Sequence, residues 1–262
     1  ETSIEERLMK FADMIENEAK YLLNITGKKP EGTISFEEVY SPDSPHLVRL
    51  YNEIFINEFP DSGELLELSE LKKELRLRFI KIHKSNYHIL IVKIGPAAVG
   101  AAMFDLLAIN KTVCVGVIYY FFLEKSLLED VQRGNTVSKV LMEGVVKILE
   151  NDARRYGYPN LSALIAEVEN PERKTKIKFK GKKDKSGEES YKASLELNLR
   201  LMRIRGLRRA DFTYIVSDLQ DPKRDVIYLD FYVKPLGRWA QNQQINSSEF
   251  LAILGAFVDQ GY

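Results

Sequence analysis

From Val131 to Ser138 the chain reads Val-Gln-Arg-Gly-Asn-Thr-Val-Ser, and here its residue types first point to chemistry. A turn of small residues ahead of a helix leaves several backbone N–H groups without intrahelical acceptors. Those donors, with the positive end of the helix dipole, suit phosphate oxygens. Arg133 adds a guanidinium fork for the same anion. The plain alternative is an ordinary helix start capped by Asn135 or Thr136.

The elements that would position this turn follow from periodicity. Ahead of it lies Val113–Leu123 (VCVGVIYYFFL), an apolar run read as a central strand buried on both faces. Behind it, Val137, Val140, Leu141, Val145, Ile148 and Leu149 form one stripe and predict a helix over Val137–Tyr156. Further strands are expected at Thr33–Val39, Tyr87–Ile94, Val99–Ile109, Leu161–Val168, Phe212–Val216 and Val226–Val233. Helices are expected at Ile4–Leu22, His46–Phe59, Leu65–Phe79, Tyr191–Arg205 and Ser247–Val258. Gly206 stands where a C-terminal cap belongs, and Asn246 with Glu249 has capping-box spacing. This order requires a mixed sheet covered on both faces, an α/β fold. Gly27–Gly32 is read as a linker. The chain divides into an N-terminal helix and linker (1–32), a central domain (33–237) and a C-terminal linker and helix (238–262).

Composition narrows the function classes. The 262 residues are 45% hydrophobic and 29% charged, enough apolar content for a normal core. Formal charges cancel, which argues against a nucleic acid engaging the whole surface. Cys114 is the single cysteine, and the three histidines show no metal-ligand spacing, so neither disulfides nor a metal centre is expected. No apolar run reaches the roughly 18 residues of a membrane span, and the charged first ten residues carry no secretory signal. A cytoplasmic protein with no membrane partner is expected.

Strand, Arg133-Gly134-x-x-x-Ser138, then a helix beginning Ser138-Lys139-Val140-Leu141, resembles the GNAT acyltransferase superfamily, whose signature there is R-G-x-G-x-G/A. The resemblance extends to Val39–Phe59 as first strand and helix, to Glu167-Val-Glu-Asn-Pro171 ending the next strand, and to Arg205-Gly-Leu-Arg208 closing the following helix. In all it covers about Thr33 to Leu236. It implies a GNAT-like mixed central sheet that splays between its fourth and fifth strands, flanked by helices, with extra helices at both termini. It also implies acetyl-CoA or another acyl-CoA as co-substrate, with the pantetheine in the splay near Phe122, Leu123 and Asn170. The pyrophosphate would lie on Arg133, Gly134, Asn135, Thr136, Val137 and Ser138, and no metal is needed. Two positions depart from the pattern. Thr136 replaces a glycine that admits close backbone approach, and Met202 stands where many members have a proton-donating tyrosine.

Acyl transfer to an amine needs a base and donors that polarise the thioester carbonyl. Amides near Phe122 and Leu123 are the candidate donors. Glu167 and Glu169, two apart on one strand and so on one face, are candidate bases, with Glu124 a third. Burial would raise such a carboxylate towards neutrality. The expected function is N-acyl transfer by direct attack on a small-molecule or peptide amine. The alternative is a catalytically silent acyl-CoA sensor or interaction module.

Other features have plainer readings. Arg173–Lys185 (RKTKIKFKGKKDK) is the one stretch that keeps a nucleic-acid backbone open as a partner; a solvated insertion is the favoured reading, and nucleic acid is not expected. Ile4–Leu22 approaches a heptad pattern interrupted by Glu18, so it packs on its own domain or pairs with a second copy in a homodimer. Cys114 reads as an inert core residue, and Gly144 as a point of close packing.

Overall fold

A computed structural model describes residues 34–56, 66–80, 87–124, 127, 131–169, 196, 199–200, 202–217, 226–242 and 245–259. The element order is β1 (Ile34–Glu38), α1 (Pro45–Leu50) continuing into a π-helical turn (Tyr51–Phe55), α2 (Leu68–Ile80), β2 (His88–Ile94), β3 (Ala97–Ala108), β4 (Cys114–Leu123), α3 (Val131–Arg155), β5 (Ala163–Glu169), β6 (Arg208–Ser217), β7 (Val226–Pro235), α4 (Gly237–Asn242) and α5 (Ser247–Asp259). Residues 199–200 and 202–204 are helical. The N-terminal helix expected over Ile4–Leu22 and the basic stretch Arg173–Lys185 lie outside the described residues.

All seven strands form one sheet, ordered β1-β2-β3-β4-β5-β7-β6. Every neighbouring pair is antiparallel except β4 and β5, which run parallel. That pair is short: Val115 to Ile118 face Ala163 to Ala166, although β4 continues to Leu123 and β5 to Glu169. Past Ile118 and Ala166 the two strands no longer pair. The sheet is splayed there, as the resemblance implies.

Burial explains the continuous apolar runs of β3 and β4, since both faces are covered. On one face, Val137, Leu141, Val145 and Leu149 of α3 pack over Leu90, Phe104, Ile118 and Leu164. The opposite face carries two separate covers. Leu47, Leu50, Ile54 and Phe55, with Leu71 and Leu75 of α2, lie over Ile89, Ile91 and Met103. Trp239 of α4 and Ile253 and Phe257 of α5 lie over Val115, Val117, Ile165 and Phe231. Close approach is visible at Gly144, where a β-carbon would stand 3.0 Å from Leu90 Cδ2, and at Gly116, where it would stand 2.4 Å from Leu149 Cδ1.

Local signals in the sequence fix several ends. Asn246 Oδ1 accepts from the Glu249 amide at 2.8 Å, and the Asn246 amide donates to Glu249 Oε2 at 3.3 Å, a reciprocal capping box. Gly206, at φ +86°, ends the helical stretch 202–204. Its amide donates to Arg203 O, and the Leu207 amide donates to Met202 O, which is a Schellman arrangement. The expected linker from residue 238 instead holds α4, because Trp239 is buried and its indole donates to Glu249 Oε1 at 3.1 Å. Within 46–59 the helix widens into a π turn at Tyr51–Phe55, with the Ile56 amide reaching Tyr51 O.

Candidate active site

The parting of β4 from β5 is prepared by a bulge. Along β3, Phe104 faces Ile118 and Met103 faces Tyr120, so Tyr119 is an extra residue opposite no partner. Strict alternation would send Tyr119 and Tyr120 to opposite faces. Both instead pack on the face away from α3, while Ile118 and Phe121 pack beneath it. Tyr119 adjoins both covers of that face, its ring 5.7 Å from Tyr87, and Tyr120 meets Phe55 edge-on at 4.8 Å.

Beyond the bulge, β4 presents an edge that β5 has left. The Glu124 amide donates to Val99 O at 2.8 Å, on the β3 side. Alternation therefore turns the Phe122 amide to β3 as well, and a β-carbon on Gly100 would lie 2.5 Å from Phe122 O, which fits. Phe121 and Leu123 direct their amides to the open side. Of the two expected donors, Leu123 faces the splay and Phe122 does not; Phe121 takes its place.

Glu167 is the first residue of β5 past the paired region. Alternation places it on the face of Ala163 and Ile165, away from α3. Its Oε1 is buried without a hydrogen-bond partner, and burial pushes its carboxyl up to about 8. A carboxyl poised near neutrality can take a proton from an amine at physiological pH. Glu124 is exposed. Glu169 pairs with Leu229 of β7 through its backbone, and its side chain lies outside the described residues, as do the side chain of Arg133 and the whole of Asn170.

The segment Arg133–Ser138 differs from expectation. It is not a turn ahead of a helix beginning at Val137; α3 starts at Val131, and Leu127 before it is helical too. In an α-helix each amide serves the carbonyl four residues back, so the amides of Asn135, Thr136, Val137 and Ser138 are spent on Val131 to Gly134. Open donors belong to residues ahead of Asn135. Thr136 is exposed, Val137 is in the core, and Ser138 is buried with its hydroxyl donating to Asn135 O at 3.1 Å. Arg205 reaches the same carbonyl at 2.6 Å and Ser138 Oγ at 3.3 Å, tying α3 to the turn at Gly206. Burial lowers the Arg205 guanidinium, against the pull of Glu143. Burial also lowers Lys234, and the Arg205 charge adds to it.

Met202 is buried in the α3-face core with Leu199 and Leu207, where its thioether has no proton to give. Cys114 is likewise a core residue whose burial pushes the thiol up to about 12. Among the described residues no group of three potential metal ligands gathers, and no helix is long and apolar enough to cross a membrane.

No protein-family model matches the chain, and no curated protein does. Solved structures resemble it. An acetyltransferase of the GNAT family from Streptococcus pneumoniae is 11% identical, covering 78% of this chain and 99% of that one at a TM-score of 0.46. A ribosomal-protein-alanine N-acetyltransferase from Brucella melitensis is 16% identical, covering 77% and 99% at 0.44. A Salmonella typhimurium protein solved with acetyl-CoA as its cofactor is 11% identical, covering 78% and 95% at 0.44. Likeness at this level carries neither substrate nor activity across.

Proposed function

We propose that this chain is an acyl-CoA-dependent N-acyltransferase that moves an acetyl or longer acyl group to an amine by direct attack. The observation that carries this reading is the buried Oε1 of Glu167, which has no hydrogen-bond partner, at the point where β5 parts from β4. A carboxylate costs several kcal/mol to bury without partners; a function as base explains why one is there. The open edge of β4 fits an extended, amide-bearing pantetheine, which can pair with it as a strand would. The Phe121 and Leu123 amides would hold it and polarise the thioester carbonyl. Glu167 would take the proton of the attacking amine. The diphosphate would sit at the amino end of α3, against Arg133 and Gly134, with the dipole behind it. A small-molecule or peptide amine would enter on the face away from α3, between the two covers.

A second reading has its own support. The commitment of Asn135 O and Ser138 to Arg205, and Met202 in the core, suit a protein that binds acyl-CoA without turning it over. Calorimetry with CoA and acetyl-CoA, followed by thiol release over a panel of primary amines, tests both. Binding with turnover is expected. Binding without turnover on any amine supports the silent sensor, and no binding of either form removes both readings.

A further inference from the structure

The central strand β4 is buried along its length except at two neighbours, Tyr119 and Tyr120, which are half-buried. In the middle of a sheet covered on both faces, a half-exposed pair marks a place where the covers do not meet. Because of the bulge, both rings lie on the face away from α3. Tyr120 packs against the cover built on α1 and α2, and Tyr119 touches both covers. The gap between the covers is therefore floored by two aromatic side chains. Phe55, from the π turn, meets Tyr120 edge-on at 4.8 Å and stands 5.5 Å from Phe122, while Tyr87 lies 5.7 Å from Tyr119 at 31°. The Tyr119 hydroxyl is buried, so the gap does not meet its polar tip.

A carboxyl stands beside this floor. Ile118 faces Ala166, so Tyr119 and Glu167 are the next residues along the two strands. Both lie on the face away from α3. Resting on the acyl-transfer reading, we propose that the acceptor is a primary amine on an aromatic stem, its ring over Tyr119 and Tyr120 and its nitrogen at Glu167, with Tyr120 setting the preference. A phenyl ring gains from leaving water and from edge-to-face or offset contact with the rings already there. A carboxylate next to the amine, as in an amino acid, would lose its water against apolar side chains and face Glu167. A second ammonium on the stem suffers the same loss of water. In the transfer the nitrogen bonds to the thioester carbon, and the C–S bond breaks with its electron pair on sulfur. The amine's surplus proton passes through Glu167 to water, which returns one to the thiolate. The products are an N-acyl arylalkylamine and the CoA thiol.

The test uses the full chain, acetyl-CoA and a panel of phenethylamine, ethylamine, butanediamine, phenylalanine and a short peptide with a free amino terminus, with thiol release as readout. Expressed on free-base concentration, kcat/KM for phenethylamine should exceed that for ethylamine about 100-fold. The diamine, phenylalanine and the peptide should fall nearer ethylamine. In Tyr120→Leu the phenethylamine-to-ethylamine ratio should drop about tenfold, and Tyr120→Phe should keep it; a general packing loss lowers both amines alike and leaves the ratio unmoved. Equal values for phenethylamine and ethylamine, or a preference for another member of the panel, overturn the proposal and leave acyl transfer standing. An unchanged ratio in Tyr120→Leu overturns the role of Tyr120. Should that variant not fold, the wild-type ranking decides. If no amine elicits thiol release, the acyl-transfer reading fails and this proposal with it.

Discussion

Glu167 illustrates how one side chain sets both chemistry and stability. Burial pushes its carboxyl up to about 8 in the fold, against about 4.3 in an unfolded chain. Between those values the folded state holds the extra proton, so stability falls as pH rises through the interval and is fully present only below it. Glu167→Gln removes the titration. Its melting temperature should match wild type at pH 5 and exceed it at pH 9, by an amount worth several kcal/mol at most. Thiol release by the same variant should drop about 100-fold, and wild-type kcat/KM should climb through pH 8 as the base ionises. Differential scanning calorimetry and a pH–rate profile check the two halves. Glu167 was legible in the sequence as a candidate because two carboxylates alternate on a strand. Nothing in the sequence separates it from Glu124, since the distinction is burial, which depends on where β5 leaves β4.

At the scale of elements, end signals act locally and were therefore readable. The capping box at Asn246 and Glu249 and the cap at Gly206 need only the residues they contain. Asn246→Ala should cost about 1 kcal/mol in urea unfolding. Gly206→Ala should cost more than that, on the order of 1–3 kcal/mol, because the residue must keep φ +86°. Strand and helix centres were readable for the same reason, their periods being intrinsic. The Tyr119 bulge was not. Two adjacent tyrosines in an apolar run look like ordinary alternation, and only the register with β3 shows that one of them is extra. The start of α3 was misplaced because small residues resemble a turn, whereas Gly134 and Ser138 are small to be buried and Arg205 bonds the helix between them.

Across the whole molecule, the edge of the sheet is clasped to α3 by a buried charge network. His88 Nδ1 meets Glu38 Oε1 at 2.6 Å, and its Nε2 meets Asp152 Oδ2 at 2.7 Å. The ring stacks on Phe104, and Tyr40 donates to the other Glu38 oxygen. Through its two ring nitrogens this one side chain joins β1, β2 and α3. His88→Ala leaves two carboxylates facing each other across a cavity and should cost about 3–5 kcal/mol, measured by urea unfolding. The clasp lies two strands from β4, so acetyl-CoA affinity of the folded variant should stay within a few-fold of wild type.

Among the described residues, β1–β4 join β5–β7 in the sheet through four residue pairs, with the Ser162 amide donating to Cys114 O just beyond them. The splay is thus also a seam, crossed by α3 on one face and by α5 on the other. Breathing motions will gather along that line, each half moving as a block, and a guest laid in the gap would act as mortar between two slabs.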